Sequence, residues 1–236
     1  MNILLSGIVG STAYGLAGPD SDVDRLGVYA DETIGLVGLH PIVETQTRTK
    51  PDVTRHEAAK FCRLALACNP TVSDLLWLPD ALYEVRTPLG DELIGIRSAF
   101  LSRDRVRDAY LGYASQQCRK LIGRSPEADD GAAADPARKR IAKHARHLMR
   151  LSEQGLELYA TGALTVRLAD PERVIDFGAR VASGDLDAAR DLVARVEAEF
   201  AAATPVLPER PDEPAAAAWL RRVRLAFWRP EPEESS

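Results

Sequence analysis

The sequence predicts an α/β fold, with a small mixed sheet in residues 1–95, a helical domain over residues 96–228 and a solvated tail at residues 229–236. Two observations carry this. Short apolar and β-branched runs crowd the first third of the chain. Apolar residues then recur at helical spacing through most of the remainder.

Taken in order, Asn2 to Val9 is an apolar run that ends in Gly10-Ser11, as an interior strand feeding a turn would. Gly18-Pro19-Asp20-Ser21 is a turn cluster, and Asp22 to Tyr29 is expected as a second strand. Ile42 to Thr49 and Asp52 to His56 are rich in β-branched residues and should pair across Lys50-Pro51. From Glu57 the period changes. Glu57, Phe61, Leu64, Ala65 and Cys68 share one helical face, and Asn69-Pro70 stops that helix. Further helices are expected at Arg103 to Ile122, Pro136 to Tyr159, Leu186 to Ala202 and Glu213 to Phe227. An acidic, small-residue loop at Ala128 to Asp135 precedes the second, with Asp135 as N-cap and Pro136 at the first helical position.

Of 236 residues, 45% are hydrophobic and 28% charged, and the formal net charge is −5. A generic polyanion binder is therefore excluded, and any nucleic-acid contact has to come from a local basic patch. No apolar run approaches the ~20 residues needed to span a bilayer. The N-terminal apolar stretch lacks a basic lead and reads as a buried strand, not a signal peptide. Cys62, Cys68 and Cys118 are odd in number and form no CxxC pair, which fits a reducing cytoplasm better than a disulfide framework.

The chemistry concentrates in the segment from Gly10 to Asp24. In a strand, residues two apart share a face, so Asp22 and Asp24 would stand side by side with Val23 packed behind them. Adjacent carboxylates repel unless a cation lies between them. Magnesium takes one or two carboxylates together with substrate phosphates, and a pair of such ions can serve both oxygens of an in-line phosphoryl displacement. Gly10 permits close backbone approach, and the Ser11 hydroxyl with free N–H groups at a helix start would hold an anion.

These residues resemble the Gly-Ser and Asp-x-Asp signature of the polymerase β-like nucleotidyltransferase superfamily. Gly10-Ser11 with Ala13-Tyr14-Gly15, Pro19-Asp20-Ser21-Asp22-Val23-Asp24, Arg25-Leu26-Gly27-Val28, His56-Glu57 with Lys60-Phe61, and Asn69-Pro70 narrow the resemblance to the RNA repair pathway DNA polymerase β family. Lys143-His144, His147-Leu148 and Arg150-Leu151 are similar to its helical segment, so the resemblance spans residues 1 to about 165. It implies a polymerase β-type palm and an enzyme that moves an NMP from an NTP to an acceptor hydroxyl, releasing pyrophosphate. The acceptor it suggests is an RNA 3′ end. It also implies two magnesium ions, with manganese as a substitute, and a third carboxylate on a neighbouring strand. Asp52 is the candidate for that third ligand, and Glu44 and Glu57 compete with it. Other acceptors, a protein or a small molecule, fit the same motifs. So does a non-catalytic, antitoxin-like nucleotide-binding module, although every proposed ligand here is acidic.

Lys139, Lys143, Arg146 and Arg150 form a helical stripe opposite Ile141, Ala145 and Leu148, and no acidic residue between Pro136 and Ser152 neutralises it. It is either a solvated face or a surface for RNA phosphates. His144 lies at its apolar edge. There it would either meet the triphosphate beside Lys143 or sit satisfied in an interface. The His144 and His147 spacing lacks further ligands for zinc. Tyr110 and Tyr113 fit core packing better than base stacking.

Overall fold

The computed structural model describes residues 1–19, 21–122 and 134–228. The expected acidic loop, Asp20, the Asp135 side chain and the tail lie outside the described residues. The chain packs as two compact units. One comprises Met1–Ala13, Ala17–Leu101 and the segment from Pro211, and the other Tyr14–Leu16 and Ser102–Arg210.

The first unit is built on a mixed five-stranded sheet: β1 (Asn2–Ile8), β2 (Arg25–Ala30), β3 (Thr45–Thr49), β4 (Asp52–Glu57) and β5 (Tyr83–Arg86), in the order β3-β4-β2-β1-β5. Strands β2 and β4 run parallel, with Arg25 opposite Val53 and Tyr29 opposite Glu57, and the other pairs are antiparallel. Strand β2 therefore begins at Arg25 and not at Asp22. Upstream, the chain is still leaving the Gly18–Ser21 turn, closed by Ser21 N–H to Gly18 O at 3.1 Å. Val23, expected in the core, is 39% exposed for the same reason.

Helices α3 (Ala58–Leu66), α4 (Pro70–Leu76) and α5 (Pro88–Gly95) follow α1 (Gly10–Tyr14) and α2 (Thr33–Leu36). Asn69 does more than end α3, because its Oδ1 accepts from the Thr71 and Val72 N–H groups and so caps α4. Gly90 of α5 lies against Leu5, and Leu78 after α4 lies against Gly7, so these helices cover the sheet face that carries Leu5, Leu26 and Val28.

The second unit holds α6 (Arg103–Ile122), α7 (Ala134–Thr161), α8 (Pro171–Ala182) and α9 (Leu186–Ala202). Tyr110 of α6 is buried against Gly155 of α7, which makes it a core residue. Gly178 of α8 admits Arg146 and the Ala142 carbonyl of α7. The last helix, α10 (Glu213–Ala226), departs from the expected division because it joins the sheet unit. Fully buried Trp219 donates to Leu89 O at 2.9 Å, and Arg224 reaches Glu57 at 2.6 Å. Among the described residues no helix is long and apolar enough to cross a membrane.

Candidate active site

Gly10 ends β1 with φ +69°, a left-handed conformation that glycine adopts without strain. Val9 N–H donates to Asp24 O at 2.9 Å, which extends the β1–β2 pairing by one residue past Ile8 and Arg25. A Cβ at Gly10 would overlap the Asp24 carboxylate, with the Asp24 Cγ and Cβ at 3.1 and 3.2 Å from it. The missing side chain is thus the space the carboxylate occupies. Ser11 follows, half-buried, in the first turn of α1.

Asp22 is exposed and Asp24 half-buried on the irregular lead-in to β2. Gly18 N–H donates to Ser21 Oγ at 2.9 Å just upstream. Arg25 donates through Nε to both Glu84 oxygens, at 2.8 and 3.0 Å. Asp52 is the exposed first residue of β4. The parallel ladder begins with Arg25 opposite Val53, so Asp24 and Asp52 are the residues that immediately precede it on the two segments. The two competing acids are engaged elsewhere. Glu44 pairs with Lys60 and Arg63. Glu57 is 1% exposed, caps α3 through the Ala59 N–H at 2.8 Å and receives Arg224. Among the described residues, no three His, Cys, Asp or Glu side chains are gathered as a ready metal cluster. The donor set of Asp22, Asp24 and Asp52 is nonetheless all carboxylate oxygen, the kind a hard divalent cation takes together with phosphate oxygens.

Lys143 and His144 belong to the helical unit. Lys143 is exposed, while His144 is half-buried with Nδ1 2.8 Å from Gln117 Oε1, a satisfied contact between α6 and α7. The basic stripe does not hold as one surface. Lys139 and Lys143 are exposed, but Arg146 is half-buried beside Gly178 and Arg150 is 1% exposed. Arg150 lies 3.9 Å over the Tyr14 ring and donates to Gln154 Oε1 at 2.6 Å. Its Nη2 is 3.1 Å from His147 Nδ1. The cause is packing by α6, α8 and α9 on several sides of α7, which a single wheel of the sequence does not reveal. His147 is pushed down to about 3, first by burial and next by the Arg150 charge. On the sheet, His56 lies 3.0 Å from Thr45 Oγ1, and burial and then Lys60 lower its pKa. The three cysteines are buried and none forms a disulfide, and Cys62 is pushed up to about 12 by burial and then by Glu57.

No curated protein matches the chain. The model of the RNA repair pathway DNA polymerase beta family matches residues 1–171, which takes in the turn, the three aspartates and all of α7. By that match over most of its length, the chain belongs to the RNA repair pathway DNA polymerase beta family.

Proposed function

We propose that the protein is a metal-dependent nucleotidyltransferase with a polymerase β-type palm, acting in a reducing cytoplasm. It moves an NMP from an NTP to an acceptor hydroxyl, and the acceptor is an RNA 3′ end. The observation that supports this reading best is the seat of the Asp24 carboxylate on the bare Cα of Gly10, which joins a phosphate-sized turn to a metal-competent acid. Asp22, Asp24 and Asp52 would hold magnesium, or manganese in its place. When bound, the metal would neutralise phosphate charge and polarise the phosphoryl oxygens. The Ser11 hydroxyl and the adjacent N–H groups hold the β- and γ-phosphates. Asp52, exposed at the start of β4, accepts the proton of the attacking hydroxyl.

The test is incubation with each labelled NTP, magnesium and total RNA, followed by separation of RNA, protein and small molecules. Label in RNA that is lost in Asp22→Asn and in Asp24→Asn, with unchanged melting temperatures, is the expected result. These variants remove charge at little change in volume. Near wild-type turnover by either at saturating magnesium would refute the metal assignment.

A further inference from the structure

The sheet has a second face, turned away from α3, α4 and α5. Alternation along the ladders puts Ser6, Arg25, Gly27, Tyr29, Gln46, Arg48, Val53, Arg55 and Glu57 on it, with Tyr29 and Glu57 buried at one end and Arg48 exposed at the other. Three arginines therefore share one face across three neighbouring strands. Arg25 is matched by Glu84. Among the described residues the Arg48 and Arg55 side chains join no ion pair. Arg48 is exposed on the edge strand β3. Arg55 is half-buried on β4, with its stem across Gly27, where a Cβ would lie 3.4 Å from its Cγ. Its Nε is buried and has no hydrogen-bond partner.

A lone edge-strand arginine has an ordinary explanation, since charge on an edge discourages strand addition. That does not cover Arg55, which lies one strand in. A partly buried guanidinium without an acid carries a desolvation cost that an incoming anion would relieve. Arg48 and Arg55 are diagonal neighbours, about 7–8 Å apart at the backbone. A nucleic-acid strand carries one charge per nucleotide, so the pair would meet phosphates a nucleotide or two apart. Arg55 stands three residues from Asp52, roughly 10 Å along the strand, and the same alternation turns Asp52 to the opposite face, so a strand held by the arginines reaches it by passing round the exposed start of β4.

We infer that this face is the acceptor track. Single-stranded RNA lies across β3 and β4 with its phosphates on Arg48 and Arg55 and its 3′ end toward Asp52. This rests on the reading of the protein as an RNA-directed nucleotidyltransferase, and it moves the RNA contact from the α7 stripe to the sheet. Guanidinium contacts to phosphate position the strand and carry no sequence information.

The experiment is fluorescence anisotropy with a short 5′-fluorescein single-stranded RNA, without NTP, across a salt series. Wild type, Arg48→Glu, Arg55→Gln and, as a control on α7, Lys143→Glu are compared, each after a thermal melt. Arg48→Glu should weaken binding on the order of tenfold. Loss of each arginine should flatten the slope of log affinity against log salt by about 0.7. Lys143→Glu should do neither. Should Arg55→Gln fail to fold, exposed Arg48 still carries the test. Undiminished binding by Arg48→Glu and Arg55→Gln overturns the track, as does wild-type protein that binds no RNA. The same assay separates this proposal from the reaction. Nucleotide transfer to RNA with unchanged affinity in both variants sinks the track alone. Weakened RNA binding in both, with no nucleotide transferred, supports the track and sinks the reaction.

Discussion

Two arginine-bearing regions of the molecule use the same side chain in opposite ways. On α7, Arg150 is 1% exposed, stacked on Tyr14 and hydrogen-bonded to Gln154. On β3, Arg48 is exposed and joins no ion pair among the described residues. The difference lies in their neighbours. Helix α7 packs against α6, α8 and α9, so the cations on its packed sides, Arg146 and Arg150, become parts of a core while Lys139 and Lys143 stay exposed. The sheet is covered by α3, α4 and α5 on one face, and on the other Arg25 is paired with Glu84 while Arg48 stays exposed and Arg55 half-buried, neither in an ion pair among the described residues. A charge is thus assigned to surface or scaffold by what packs on the remaining sides of its element, and not by its spacing along the chain.

That contrast is broken or sharpened first at Arg150. Removing it should cost about 3 kcal/mol of stability, the sum of a desolvated cation–π contact and a charge-assisted hydrogen bond. Arg150→Ala should therefore shift the denaturant midpoint strongly while leaving RNA affinity of the folded protein unchanged. A stable Arg150→Ala protein with lost RNA or NTP binding would place this arginine in the site and erase the distinction.

The next effect is smaller and belongs to the sheet unit. Gly10→Ala puts a Cβ where the Asp24 carboxylate lies and asks alanine to take φ +69°. Displacing a catalytic group by about 1 Å costs on the order of a hundredfold in rate. Ser11→Ala removes one hydrogen bond to a charged group and should cost about tenfold, seen in KM for NTP. Steady-state kinetics on both variants decides the matter. If Gly10→Ala were the milder of the two, the turn would not seat Asp24 against the nucleotide.

Much of this was legible in the sequence, because the responsible interactions are local. The bounds expected for α6 and α9, Arg103–Ile122 and Leu186–Ala202, are those found. The strand pair β3 and β4 was legible from its β-branched residues. Strand β5 was not, because four residues between Pro79 and Pro88 are too few to show a period. Helix α8 carries a signal that was passed over. Asp170-Pro171 is an N-cap followed by proline, the same start read at Asp135-Pro136, and Asp170 Oδ1 does accept from Arg173 N–H at 3.0 Å. The place of α10 rests on Trp219 with Leu89 and Arg224 with Glu57, contacts so distant in sequence that no local pattern encodes them. The basic stripe misled because a wheel shows one helix and not its neighbours.

The smallest effect is a pH dependence carried by the helical unit. His147 faces Arg150, whose Nη2 lies 3.1 Å from its Nδ1, so the ring must be neutral to accept that hydrogen bond. Burial is the largest cause of its depressed value, about 3 against 6.5, and Arg150, His144, Lys120 and Lys143 act in the same direction. The sign follows from proton counts. Between pH 6.5 and about 3 the unfolded chain holds a proton on this ring that the folded chain does not, so acid favours unfolding. The contribution is fully present above 6.5 and is lost as the pH falls, with a slope approaching about 1.4 kcal/mol per pH unit. Glu153, on the same helix, opposes this. Burial raises its pKa despite Arg173, so its contribution is greatest in acid and fades as the pH rises through its folded value. Comparing wild type with His147→Gln isolates the histidine, because glutamine keeps an acceptor for Arg150 and cannot titrate. Denaturant unfolding from pH 7 to about 5 should show wild type losing stability faster than the variant, toward the one-proton slope. Parallel lines would mean that His147 is charged in the fold, and the neutral network around Arg150 would have to be redrawn with an anion in it.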